Sequence, residues 1–190
     1  MNNLKLSTER LDLIAGTKEL YRARVDEREL LGRELGAEVP AGWPPPLFDQ
    51  DAMDWMSKYL DEQPDAGGWT FYFVVLREQP DAPDARPTVI GGCGFKGKPS
   101  ADGTVEIGYS MLPEFQRAGY ATEAAGALVR WAFSQAEVAR VVAETYPELL
   151  PSIRVLEKNN FRFIGDGSEE RVILFALTRE EYEAAARGRE

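Results

Sequence analysis

The period of the apolar residues changes once inside the stretch V-E-I-G-Y-S-M-L-P-E-F-Q-R-A-G-Y-A-T-E-A-A, residues 105–125, and that change constrains the fold more than any other feature. Val105, Ile107, Tyr109 and Met111 alternate with Glu106, Gly108 and Ser110, the period of a strand, and Pro113 holds Leu112 extended and stops the run. Beyond a short polar bridge, Ala121, Ala124, Ala125, Leu128, Ala132 and Ala136 recur at three- and four-residue spacing, which predicts the buried stripe of a helix running to about Ala136. Gln116, Arg117, Ala118, Gly119, Tyr120 and Ala121 form the join. Small residues and a glycine there let a phosphate approach the backbone, and free N–H groups and the helix dipole favour its charge. The stretch therefore predicts an anion cradle on a strand-loop-helix.

The join has the form Q/R-x-x-G-x-A, follows a strand reading E-I-G-Y and precedes T-E-A. In that combination it resembles the acetyl-coenzyme A loop of the GNAT N-acetyltransferase superfamily, particularly the branch of the RimJ and RimL ribosomal-protein N-terminal acetyltransferases. T-E-R-L-D-L at residues 8–13 is similar to that branch's opening, and S-I-R-V-L-E-K-N-N-F at residues 152–161 to its closing helix and strand. The resemblance spans nearly the whole chain. It implies one GNAT domain over residues 1–190, an α/β (α+β) fold whose mixed, mostly antiparallel central sheet is flanked by helices and splays at the acetyl-coenzyme A site.

At 190 residues the chain can bury a sizeable core as one domain, and 44% hydrophobic composition argues against disorder. Thirty-two acidic against 22 basic residues, a net charge of −10, argue against a nucleic-acid partner, because a phosphate backbone needs a basic face. The same balance suits a cationic substrate, and equally suits mere solubility. Cys93 is the single cysteine, so no intramolecular disulfide forms, and without histidine or a ligand-spaced cysteine set no metal site is expected. No apolar run is long enough for a membrane and the first residues do not resemble a signal peptide, so the expected location is cytoplasmic.

In chain order, residues 10–15 read as a first strand. Leu20, Val25, Leu30, Leu31 and Leu35 then supply the apolar face of two short helices, the second starting near Asp26-Glu27. Gly42-Trp43-Pro44-Pro45-Pro46 is a stiff extended segment, and the resemblance implies that Trp43 faces the acceptor. Residues 51–60 read as a helix with Ala52, Trp55, Met56 and Tyr59 on its apolar stripe. Residues 69–76 are a strand covered on both faces, residues 79–87 a proline-rich connection and residues 88–95 the next strand. Gly92, Gly94 and Gly97 satisfy the dinucleotide pattern G-x-G-x-x-G, but Pro99 and a strand follow where that fingerprint needs a helix. Cys93, with no histidine partner, reads as a small buried residue and not a nucleophile. Residues 140–145 form a strand parallel to the central one, and residues 150–158 a helix closed by Asn159-Asn160 where the family has glycine. A hairpin over residues 161–177 and a helix capped by Thr178 and Glu181 finish the chain.

The resemblance also implies roles. Glu106 is placed as the base that serves the acceptor amine, commonly through water, and burial would raise such a carboxylate's pKa and improve it as a base. Ser152 is placed near the thioester sulfur as proton donor or hydrogen-bond partner, with Tyr109 as a further candidate acid. Met111 and Leu112 would meet the pantetheine arm through their backbone, and Gln116, Arg117, Ala118, Gly119, Tyr120, Ala121 and Thr122 would hold the pyrophosphate, Arg117 adding charge. Lys158 reads as a dipole complement at its helix end, within reach of the donor. The chain departs from the branch at Leu149, which stands where an asparagine commonly bonds the pantetheine arm. The implied reaction is acetyl transfer from acetyl-coenzyme A to a primary amine, either a peptide N-terminus or a small cationic molecule. An open or closed pocket around Trp43, Trp55, Trp69 and Tyr72 would discriminate between the two. A non-catalytic acyl-coenzyme A sensor is the alternative, and a homodimer stays open.

Overall fold

A computed structural model of the chain describes residues 4–22, 27–46, 48–77 and 86–188. In order these form β1 (Lys5–Ser7), β2 (Leu11–Ala15), α1 (Lys18–Arg22), α2 (Arg28–Leu35), α3 (Gln50–Glu62), β3 (Phe71–Leu76), β4 (Thr88–Phe95) and β5 (Thr104–Met111). A 3-10 turn at Pro113–Phe115 precedes α4 (Tyr120–Ser134), β6 (Arg140–Thr145), α5 (Leu150–Lys158), β7 (Arg162–Asp166), β8 (Ile173–Thr178) and α6 (Arg179–Arg187). Val25 and most of the connection at residues 79–87 lie outside the described residues.

The strands make one sheet in the order β1-β2-β3-β4-β5-β6-β8-β7. Every neighbouring pair is antiparallel except β5–β6, which α4 joins as a crossover and which is therefore parallel. Those two strands pair only through Thr104↔Arg140, Val105↔Val141 and Glu106↔Val142. β5 then runs on beside β4, from Ile107↔Phe95 to Met111↔Gly91. β4 and β6 lie on opposite edges of β5, so after Glu106 the strand keeps β4 and loses β6, and the sheet splays there.

β3 shows why the sheet is covered on both faces. Its alternate residues Phe71, Phe73 and Val75 enter the cluster of Leu20, Leu31, Leu35, Met53 and Leu60 from α1, α2 and α3. Tyr72 and Val74 point the other way, into the cluster that holds Val105, Ile107, Leu128, Ala132 and Leu156. Each fully buried large side chain of this kind contributes about 1.5–3 kcal/mol before entropy is counted.

Several sequence expectations are shifted. The buried stripe of α3 is Met53, Ser57 and Leu60, and Trp55 is half exposed, stacked on Tyr59 at 5.2 Å. Spacing sets the period of a stripe, and tertiary packing sets its phase. α4 ends at Ser134, short of Ala136, because Arg179 reaches in and takes the carbonyls of Phe133, Gln135 and Val138. Two glycines of the dinucleotide-like pattern are strand residues, a Cβ on Gly92 standing 2.1 Å from the Phe71 ring and one on Gly94 2.4 Å from the Thr70 carbonyl, and Gly97 lies past the end of β4. Gly92 and Gly94 admit neighbouring strands, not a pyrophosphate. At the end of α5, Asn160 adopts φ +65°, and the Phe161 and Asn160 N–H groups donate to Leu156 and Glu157 carbonyls. Asparagine closes that helix in the left-handed manner that glycine usually provides.

Candidate functional site

Past the last pairing of β5 with β6, Tyr109 on β5 meets Ser152 in the first turn of α5. Tyr109 Oη lies 3.0 Å from the Ser152 carbonyl and 3.1 Å from Ser152 Oγ, so two residues far apart in sequence form one pair. Burial pushes the Tyr109 phenol up to about 12 against the Ser152 hydrogen bond that lowers it, so the proton stays on the ring oxygen at neutral pH. Tyr146 and Leu149 stand exposed on the connection into α5 and Leu150 at its first residue, and Leu149 N-caps that helix with no side-chain hydrogen bond.

Glu106 is the last residue of β5 that pairs with β6. It is not an isolated buried carboxylate: its side chain keeps a quarter of its exposure, and the shielded Oε1 pairs with Lys96 Nζ. Lys96 continues the β4 ladder, its N–H donating to the Glu106 carbonyl at 2.9 Å, so the two side chains emerge side by side.

At the far end of β5 the chain turns through Leu112 and the 3-10 turn into the join. Arg117 and Gly119 both have positive φ, +64° and +85°, and Gly119 N-caps α4 without any side-chain cap. Left-handed residues alternating with ordinary ones turn successive N–H groups to one side, and the first turn of a helix has no carbonyl ahead of it to accept them. The join is held by a clamp. Glu123, in the first turn of α4, accepts from Thr8 Oγ1 at 2.6 Å, the Arg10 N–H at 2.8 Å and Arg10 Nε at 2.7 Å. Arg10 Nη1 donates to the Ala118 carbonyl, and its guanidinium lies 4.5 Å over the Tyr120 ring. Burial pushes the Glu123 carboxyl upward, but the Thr8 and Arg10 hydrogen bonds and the Arg10 charge together hold it below the usual carboxylate range.

The backbone groups expected to meet a donor arm are partly engaged. Leu112 N–H donates to the Ile90 carbonyl, the Leu112 carbonyl accepts from Phe115 and the Met111 carbonyl accepts from Gln116 Nε2 at 3.0 Å. The edge of β5 that faces the splay, residues 107–111, is the stretch that β6 does not cover. Ala121 and Thr122 sit partly exposed in the first turn of α4.

Other expectations fail geometrically. Trp43 does not face an opening; it is buried against Phe73 at 5.7 Å in the cluster beside α1, α2 and α3. Trp69 and Tyr72 lie in the other cluster and Trp55 on the surface, so the four aromatics line no common pocket. Arg10, Glu123 and Lys96 are the residues that sequence reasoning missed. Both ends of the clamp lie in motifs visible in the sequence, T-E-R-L and T-E-A, but 113 residues separate Arg10 from Glu123. Among the described residues no group of three or more Cys, Asp or Glu is arranged to hold a metal, and no helix is long and apolar enough to cross a membrane.

Comparison with known proteins bears on this arrangement. Residues 21–162 match the acetyltransferase (GNAT) domain family. The chain is 30% identical over 161 residues to the uncharacterized N-acetyltransferase YjdG of Bacillus subtilis, covering 84% of this chain and 86% of that one. Among solved structures, the ribosomal-protein-S5-alanine acetyltransferase of Vibrio fischeri superposes with TM-score 0.66 at 16% identity, over 95% of this chain and 99% of that one. RimJ of Mycobacterium smegmatis, solved in complex with coenzyme A disulfide, gives 0.61 at 20% identity over 94% and 90%.

Proposed function

The chain belongs to the GNAT acetyltransferase family, and from that premise we propose that it is one such domain moving acetyl from acetyl-coenzyme A directly onto a primary amine, with Glu106 as the base. The observation that carries this reading is the loss of β6 from one edge of β5 after Glu106. It leaves residues 107–111 as an open edge between Glu106 at one end and the uncapped start of α4 at the other.

The residues present fit the donor. Arg117 and Gly119, with the first turn of α4, suit a pyrophosphate, since helix N-termini and left-handed turns favour anions. The open edge of β5 suits the amides of a pantetheine arm, which pair as an added strand does. Leu112, whose N–H is already bonded, contributes by packing, and Gln116 by holding the Met111 carbonyl. Leu149 offers contact but no hydrogen bond. When bound, the donor supplies an acetyl group activated as a thioester.

Acceptor amines are largely protonated at neutral pH, so a carboxylate must receive a proton before the nitrogen can react. Glu106 does this directly or through one water. Tyr109 and Ser152 then relay a proton: the extra proton on the acylated nitrogen enters the hydrogen-bonded pair as the pair gives one to the departing sulfur, so Tyr109 ends protonated, as it began. The acceptor is a primary amine. Relatives named as ribosomal-protein acetyltransferases favour a peptide N-terminus, and the net charge of −10 favours any cationic amine, so both classes enter the test.

That test is release of free coenzyme A thiol from acetyl-coenzyme A across N-terminal peptides, aminoglycosides and polyamines. Amine-dependent release is expected, and the most active class names the acceptor. Tight donor binding with no release from any amine would overturn catalysis in favour of an acyl-coenzyme A sensor.

A further inference from the structure

Lys96 stands out once Glu106 is read as the base. The reaction proposed above needs a primary ammonium beside that carboxylate, and the fold already supplies one: Lys96 Nζ pairs with Glu106 Oε1. The other lysines that form ion pairs rest on other carboxylates, Lys5 on Asp12, Lys18 on Asp61, Lys58 on Glu62 and Lys98 on Asp65. The Lys96 backbone is fixed by its bond to the Glu106 carbonyl, while its side chain is 61% exposed and therefore has room to swing on its four-carbon stem. An ordinary cross-strand ion pair would also look like this. What separates the two readings is that this pair lies where β5 leaves β6, at the mouth of the opening.

We propose that Lys96 is a site of self-acetylation, the protein's own acceptor, in an inference that rests on the reading of Glu106 as base. Glu106 takes one proton from the Lys96 ammonium and later passes it to solvent. The neutral Nζ attacks the acetyl carbonyl carbon; the N–C bond forms as the C–S bond breaks. The remaining extra proton on nitrogen goes to the departing sulfur, through Ser152 and Tyr109 or water. The products are acetyl-Lys96, coenzyme A thiol and one released proton, with no oxidant or further reactant. Acetylation removes the charge and so ends the ion pair with Glu106.

The experiment incubates the full chain with acetyl-coenzyme A and no added amine, and follows acetylation of each lysine by peptide mass spectrometry over time. The same samples are assayed for amine-dependent thiol release. Lys96 is expected to label at least about tenfold faster than exposed Lys58, because a group held at the site reacts intramolecularly. Its rate constant should not depend on protein concentration. Glu106→Gln should lose the label even though its Lys96 is freed from the ion pair, and Lys96→Arg should show no label at that peptide while circular dichroism reports an unchanged fold. Labelling of Lys96 no faster than Lys58, or equally in Glu106→Gln, overturns the inference. If Lys96 stays unlabelled while amine turnover is present and lost in Glu106→Gln, self-acetylation alone falls and the transferase reading stands. If neither label nor turnover is seen, both fall.

Discussion

The two halves of β5 are built from the same alternating pattern and end in opposite conditions. Residues 104–106 pair with β6, and residues 107–111 pair with β4 and leave their other edge uncovered. The first half is ordinary sheet, whereas the second presents backbone groups toward a gap. The difference teaches that the proposed donor side is made mostly of backbone: an open strand edge, two left-handed residues and an uncapped helix, braced by Arg10 and Glu123. The proposed acceptor side is made of side chains, Glu106 with Lys96. Backbone features of this kind change little when residues are exchanged, while exposed side chains change freely, so under the proposed function acceptor choice belongs to the second group.

Four substitutions sharpen that contrast. The largest effect is expected for Glu106→Gln, an isosteric change on the acceptor side. Steady-state kinetics should show kcat down by about 10²–10⁴-fold, while calorimetry finds donor affinity unchanged; an unaltered kcat would remove Glu106 from the chemistry.

On the donor side, Gly119→Val forces a branched residue to φ +85° with a Cβ 3.4 Å from Arg10 Nη2. The strain costs on the order of 1–2 kcal/mol, and coenzyme A affinity should fall about tenfold with little change in acceptor KM. A change in acceptor KM of the same size would mean that the two sides are not separable.

Glu123→Gln tests the brace. It removes charged hydrogen bonds from Thr8 and Arg10 and is expected to cost about 1–2 kcal/mol in urea denaturation at pH 7. The folded Glu123 carboxyl is held low, so its contribution is present above the unfolded value of about 4.3 and is lost as pH falls through the lower folded one. The stability gap between wild type and variant should therefore be full near pH 6 and shrink below about pH 4. A gap that stays constant across that range would assign the cost to packing.

The smallest effect is expected for Trp55→Ala. Trp55 is half exposed and contributes to neither cluster, so stability should move by no more than about 0.5 kcal/mol. A loss of several kcal/mol would return Trp55 to the core, where its size alone suggests it belongs.

Much of the architecture could be read from residue order. Strands at residues 88–95 and 140–145 and the helix at residues 150–158 coincide with the structure, because each is bounded by proline, glycine, asparagine or a charge whose backbone preference is local. The Thr178–Glu181 capping box was legible for the same reason, since both partners lie within one turn. The three-residue β1 was not, being too short to show a period. The phase of the α3 stripe was not either, since Ala52, Trp55, Met56 and Tyr59 satisfy helical spacing as well as Met53, Ser57 and Leu60 do. For the site, the join and Glu106 were visible as motif positions, but the pairing of Tyr109 with Ser152 and of Lys96 with Glu106 required the fold.

By itself, then, the sequence determined the local conformations: where strands and helices begin, that Gly119 can turn left-handed before a helix, and that Asn160 can do the same after one. Those outcomes depend on φ/ψ preferences and on hydrogen bonds that reach a few residues. Only the tertiary structure decided which side chains meet. Glu123 found Thr8 and Arg10, Trp43 turned inward and Lys96 came to rest on Glu106 because sheet order and register set those distances. Register is a property of paired strands, and no single strand carries it.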